Sequence, residues 1–160
     1  MRPSVYIDTT IPSYYVDLRP SLSLHIARTR QWWDRERELY DVYVSDFVVL
    51  ELQEGQYPGK DEAMRLVSEF RRLAATPEIE NVVNAYLAHR LMPSRDVRDA
   101  FHLAFASHYK IDFLLTWNCH HLANARKQRH IRTVNAMLGL NSPLIVTPLE
   151  LLPMETEDSE

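Results

Sequence analysis

The amino-acid sequence predicts an α/β domain in which a central parallel sheet is covered by helices on both faces. Two observations carry this. Short β-branched or aromatic runs alternate with amphipathic segments of helical period, the pattern of strands joined by helical crossovers. Three separated runs also deliver a carboxylate or amide at the strand-to-helix handover. Val5-Tyr6-Ile7 runs into Asp8, Asp41 to Ser45 leads into a helical run holding Glu51, and Phe113 to Trp117 ends on Asn118, with Asp99 opening the run before it. In a parallel sheet the carboxyl ends of the strands lie together, and ligands bind in the crevice there. Acids remote in sequence are therefore expected at one edge.

The elements follow in order. Residues 4–8 read as a buried strand, and Asp8-Thr9-Thr10-Ile11-Pro12 as a helix start with a small polar cap and Pro in the first turn. Leu22 to Tyr40 carries apolar residues at helical spacing, 42–45 is a second strand, and Asp46 to Glu54 is a short helix ended by Gly55. Lys60 to Ala75 is an amphipathic helix with Ala63, Leu66, Val67, Phe70 and Leu73 on one face. Thr76-Pro77 breaks the chain, and Ile79 to Val83 is open between a strand and the lead-in to a helix over Val83 to Leu91. Arg95 to Tyr109 is the strongest helix, Asp112 to Trp117 a strand, Asn118 to Leu138 mostly helical, Leu144 to Val146 a last strand, and Pro148 to Leu152 a helical turn. The domain spans 1–152, and the acidic stretch 153–160 reads as a disordered tail.

A chain of 160 residues holds one domain with a real core. With 3 Gly and neither a Walker nor a GxGxxG pattern, a glycine-rich phosphate loop is excluded. The single Cys119 forbids an internal disulfide and suits a reducing compartment. No basic-then-apolar leader and no membrane-length apolar run is present, so a cytoplasmic location is expected. The net charge of −4 argues against broad electrostatic binding of nucleic acid. A local basic segment, Arg126, Lys127, Arg129 and Arg132, follows Asn118 closely.

Several residue types suggest chemistry, each with a plainer reading beside it. Carboxylates gathered at one edge oppose each other's ionisation unless a cation joins them, and hard divalent ions take such oxygen ligands. Asp8 is also a good helix cap. Asp96 and Asp99 stand three apart at a helix start, where Asp96 reads as the cap and Asp99 as a first-turn acid kept ionised by the helix dipole. Glu51 lies among apolar neighbours, and its alternative is a solvated helix face shared with Glu54. Asn118 can cap the next helix or orient a water or metal-bound group. Cys119, His120, His121 and His130 lack zinc-site spacing. His102 lies one turn from Asp99, and Trp32, Trp33 and Trp117 read as core anchors or interface residues, since base stacking requires exposure.

Four segments together resemble the PIN domain family: Val5-Tyr6-Ile7-Asp8-Thr9-Thr10, Ser45 through Glu51-Leu52, Arg98-Asp99-Ala100-Phe101-His102-Leu103-Ala104, and Asp112 through Asn118. The similarity is greatest to the VapC-type toxins of bacterial VapBC toxin–antitoxin systems and runs from about Ser4 to Leu152. The resemblance implies a three-layer α/β/α fold, often a homodimer, and Mg²⁺- or Mn²⁺-dependent ribonuclease activity. It implies that Asp8, Glu51 and Asp99 are catalytic metal ligands, with Asn118 in place of a fourth acid and Asp96 as a looser addition. It further implies an RNA substrate and an antitoxin protein as partner. Arg126, Lys127 and Arg129 are the candidates for holding flanking phosphates, or else an exposed helix face. Two other readings compete. A haloacid-dehalogenase-like phosphatase requires an Asp where Thr10 stands. A non-catalytic PIN scaffold binding RNA or a protein stays open because Asn118 departs from the acidic set.

Overall fold

The computed structural model describes residues 1–120 and 122–153. The expected tail from residue 154 onward and His121 lie outside the described residues. Five strands, β1 (Ser4–Ile7), β2 (Asp41–Ser45), β3 (Arg71–Leu73), β4 (Phe113–Leu115) and β5 (Leu144–Val146), form one sheet in the order β3-β2-β1-β4-β5. Every pairing is parallel; Val5 stands opposite Val42 on one side and Phe113 on the other. The α/β class with a central parallel sheet is thus present as expected.

The helices are α1 (Thr10–Val16), α2 (Ser23–Gln31), α3 (Asp46–Gln53), α4 (Lys60–Val67), α5 (Pro77–Ala88), α6 (Val97–His108) and α7 (Ala125–Met137). Because strand order runs outward in both directions from β1, right-handed crossovers send α1 to α4 to one face and α5 to α7 to the other. The packing agrees, with α1 against α2 and α4, and α5 against α6. The sheet is therefore the middle of three layers. Its central strand is buried on both faces, and Val5, Tyr6 and Ile7 are all 0 % exposed.

The order reverses between β1 and β4, so the crevice beyond their carboxyl ends is the topological switch point. Asp8 follows β1 there, and its amide donates to the Leu115 carbonyl at 3.2 Å. On the far face Tyr86 donates to Asn135 Oδ1 at 2.6 Å, and Asn135 Nδ2 donates to Ser107 Oγ at 3.0 Å. That buried chain ties α5, α6 and α7 together and fixes α6, which carries Asp99 and His102.

Three details differ from the sequence expectation, and one reading left open by the sequence is decided. The helix expected over Lys60 to Ala75 stops at Val67, because Arg71 to Leu73 pairs with Tyr43 to Ser45 as an edge strand. Residues 79–83 are helical, inside α5. The run from Leu22 to Tyr40 is α2, a π-helical turn over Trp32–Glu36, and a 3₁₀ turn over Arg37–Leu39. The widened turn accommodates two adjacent tryptophans that are both buried, Trp32 at 0 % and Trp33 at 3 % exposure. Finally, Asn118 does not cap α7; that helix begins at Ala125, and Asn124 accepts the amides of Arg126 and Lys127. No helix among the described residues is long and apolar enough to cross a membrane.

Candidate active site at the switch point

Asp8 is 2 % exposed, and hydroxyls hold both of its oxygens. Thr10 donates to Oδ1 through its amide at 3.0 Å and its hydroxyl at 2.5 Å, and Thr116 donates to Oδ2 at 2.5 Å. Asp8 begins an Asx-type turn rather than capping α1, where Thr9 occupies the cap position. Burial raises its pKa above the usual carboxylate value; the charge of His102 and the Thr10 and Thr116 hydrogen bonds oppose that rise.

Glu51 projects from α3, which Ser45 starts by accepting the Val48 amide. Its side chain is 11 % exposed, against 50 % for Glu54. Thr9 Oγ1 donates to Glu51 Oε1 at 2.6 Å, and His102 Nε2 lies 2.5 Å from the same oxygen. Arg98 Nη1 stands 3.4 Å from Oε2 and reaches Glu54 with its other nitrogen at 2.9 Å. Burial pushes the Glu51 carboxyl up, but His102, Thr9 and Arg98 outweigh it and hold the group below its ordinary range.

His102 links the two halves of the site. Its Nδ1 lies 2.7 Å from Tyr6 Oη, which lies 2.8 Å from Ser45 Oγ. This chain is satisfied in either protonation state. With a neutral imidazole, Nε2–H donates to Glu51, Nδ1 accepts from Tyr6, and Ser45 donates to Tyr6. With an imidazolium, both nitrogens donate and the two hydroxyl bonds reverse. Burial disfavours the imidazolium, yet Glu51, Asp8 and Asp99 together raise the His102 pKa above its ordinary value. Asp99, three residues earlier on α6, shares its helical face.

Three acids from three elements thus act on one imidazole. Asn118 reaches the same place through its backbone, its amide donating to Thr116 Oγ1 at 2.9 Å. Asp96 occupies the cap position of α6 without a side-chain cap bond, and Arg95 lies 3.6 Å from its Oδ2. Arg126 and Arg129 are exposed at the start of α7, whereas the Lys127 ammonium donates to the Leu91 carbonyl. Sequence reasoning missed Thr9, Thr10, Thr116, Tyr6, Ser45 and Arg98. The adjacent Thr9-Thr10 pair after Asp8 was the one available signal, since such hydroxyls bond locally.

A cleft of about 700 Å³ opens beside Thr9 and Glu51, between the end of α1 and the segment carrying Tyr57 and Pro58. Of the three acids Asp8, Glu51 and Asp99, only Glu51 lines the cleft; a carboxylate of this kind suits a hard divalent cation, because it retains acceptor capacity beyond the hydroxyl bond it takes. Among the described residues, no three His, Cys, Asp or Glu side chains already form a group that could hold a metal ion. Glu51 would exchange its contacts to His102 and Arg98 for such an ion.

A family model described as the PIN domain matches residues 5–127. No curated protein matches the chain. Solved structures do. A toxin–antitoxin complex from Klebsiella pneumoniae aligns with a TM-score of 0.58 at 18 % identity, covering 91 % of this chain and 98 % of that one. VapC20 of Mycobacterium tuberculosis, described as a sarcin–ricin-loop-cleaving toxin, aligns with 0.56 at 15 % identity over 74 % and 92 %. VapBC2 of Rickettsia felis, bound to a DNA fragment from its promoter, aligns with 0.57 at 11 % identity over 89 % and 97 %. At these identities the likeness is one of fold.

Proposed function

The chain belongs to the PIN domain family, and from that premise we propose that it is an endoribonuclease that requires Mg²⁺ or Mn²⁺ and acts as the toxin of a type II toxin–antitoxin pair. One observation carries the reading: Asp8 and Glu51, from separate strand–helix units, are held by hydroxyl donors at the switch-point edge, with Asp99 acting on the same imidazole. Asp8, Glu51 and Asp99 would hold the cation, assisted by Asn118 and, more distantly, Asp96. When bound, such an ion supplies an activated water and neutralises charge on the phosphate.

The chain's own residues set the rest. Thr10 and Thr116 fix the Asp8 carboxylate so that it need not reorganise on binding. His102 donates to Glu51 from Nε2 in both of its states, and the Tyr6 and Ser45 hydroxyls turn to match the protonation of Nδ1. Arg98, bridging Glu51 and Glu54 from an exposed position, is placed to meet a substrate phosphate if Glu51 turns to a cation. Arg126, Arg129 and the shallow groove shared by Asn124, Arg126, Lys127 and His130 offer charge for flanking phosphates. The structural neighbours are toxins or toxin–antitoxin complexes, which supports a proteinaceous antitoxin as partner. A homodimer acting in the cytoplasm completes the reading.

Calorimetric titration of Mn²⁺ into the wild type, Asp8→Asn and Asp99→Asn, beside an RNA-cleavage assay with and without chelator, tests it. Chelator-sensitive cleavage and Mn²⁺ binding weakened by both substitutions are expected. Binding that neither substitution changes would sink the constellation. A second reading, a scaffold without turnover, is favoured by one observation: His102 and Arg98 already balance the Glu51 charge. Absence of cleavage with intact RNA binding would select it.

A further inference from the structure

Three half-buried rings meet where α1 and α2 approach the end of β4: Tyr14 of α1, His25 of α2 and Trp117 just after β4. His25 packs edge-on to Trp117 with ring centroids 4.6 Å apart, Tyr14 stacks on His25 at 5.8 Å, and Tyr14 and Trp117 lie 6.1 Å apart. The indole is anchored at both ends. Its Nε1 donates to Thr29 Oγ1 at 2.7 Å, and its amide donates at 3.0 Å to Thr10 Oγ1, the same hydroxyl that holds Asp8. One threonine therefore positions both the buried acid and the aromatic residue. Thr29 is satisfied independently, since it donates to the His25 carbonyl at 2.6 Å. Trp32 and Trp33 are closed off in the core, so Trp117 is the accessible indole.

We infer that Tyr14, His25 and Trp117 form a stacking platform for an unpaired RNA base next to the cleaved phosphate, an inference that rests on the ribonuclease reading above. The rings are planar and half-buried, the indole is tethered at both ends, and Thr10 links it to the acid predicted to face the scissile bond. Arg28, one turn from His25 on α2, adds a cation on that side for the backbone. Aromatic platforms take single-stranded bases with little sequence preference, whereas bases inside a duplex are already stacked and unavailable. With Trp117 after β4 and Glu51 after β2, the platform and the cleft would hold the strand across Asp8.

The test uses the full chain carrying Asp8→Asn, with Mg²⁺ present, titrated with labelled oligoadenylate. Anisotropy reports binding and tryptophan emission reports contact at Trp117. Saturable quenching in step with anisotropy is expected, with affinity reduced roughly 5- to 100-fold by Trp117→Leu and also by His25→Ala, each first checked for unchanged melting. A duplex of the same composition is expected to bind without quenching. Binding without quenching, binding insensitive to both substitutions, or no binding at all would overturn the platform. Wild-type cleavage is scored separately: cleavage with a failed platform leaves the ribonuclease reading standing, and a working platform without cleavage leaves only RNA binding.

Discussion

Thr116 Oγ1 donates to Asp8 Oδ2 at 2.5 Å, joining residues 108 positions apart. The bond spans the switch point, where β1 and β4 diverge into helices on opposite faces. It extends the β1–β4 pairing by a side-chain bond, and the same oxygen accepts the Asn118 amide. Joining of the two strand ends and placement of the acid are thus one contact.

Replacing that hydroxyl by a methyl tests this. Thr116→Val keeps the volume but strips Asp8 of a donor and removes the oxygen that accepts the Asn118 amide. A loss of about 1–3 kcal/mol in urea unfolding is expected, with weaker Mn²⁺ binding and a further rise of the Asp8 pKa. Unchanged metal affinity beside lowered stability would show that Thr116 serves the fold alone.

His102 and Glu51 form the second coupled pair. Removing the imidazole by His102→Ala leaves Glu51 with Thr9 and Arg98 only, and leaves Tyr6 Oη without one partner. Loss of one member of a buried pair costs about 3–5 kcal/mol; the remaining contacts place this variant near the lower figure. A double-mutant cycle with Glu51→Gln is expected to give a coupling of about 1–3 kcal/mol. Additive losses would mean that the 2.5 Å contact contributes no energy of its own.

Strand runs with strong apolar character were legible before folding. Tyr6, Val44 and Leu114 declare buried strands, and an acid or amide after each run is visible by eye. The edge strand β3 was not, because Arg71-Arg72-Leu73 continues the helical period of the preceding segment and becomes a strand only by pairing with β2. Two exposed arginines on a short edge are how sheets discourage further pairing, so the very residues that protect the strand hide it. Asn118 and Asn124 are equally good caps by type, and only the loop between them decides. The acids were readable by position, but the hydroxyls of Thr9 and Thr116 and the bridging imidazole of His102 join elements 42 to 108 residues apart. Beyond the adjacent Thr9-Thr10 pair, nothing local announces such contacts.

Gly59 directly follows Tyr57 and Pro58, which line the Glu51 cleft. It adopts φ +85°, and a Cβ there would lie 2.9 Å from Val16 Cβ and Cγ2 at the end of α1. Gly59→Ala therefore combines left-handed strain with overlap against a buried β-branched residue, at a cost of about 2–4 kcal/mol. The displaced segment carries Tyr57 and Pro58, so RNA affinity is expected to fall with Asp8-dependent metal binding unchanged. Equal losses of both would show that the cleft and the acids move as one body.

Asp46 gives the pH dependence of the sheet edge. Its Oδ2 accepts the Ala75 amide at 2.8 Å and its Oδ1 meets Arg72 Nε at 2.5 Å, pinning the chain after β3 to the start of α3. The Ala75 amide is the main reason its carboxyl lies below the ordinary value; burial opposes this and Arg72 adds to it. A depressed folded pKa means that the carboxylate contributes stability above its unfolded pKa and loses it as pH falls through the folded value. The side chain is 38 % exposed, so solvent screens the Arg72 share. Asp46→Asn is expected to cost about 1 kcal/mol or less at neutral pH, and the gap to wild type should close in acid. Melting curves at about pH 7 and about pH 3 measure it. A gap constant across that range would mean that Asp46 acts through shape and neutral hydrogen bonds. High salt at neutral pH separates the two partners, because the Arg72 pair weakens with ionic strength while the Ala75 amide bond persists.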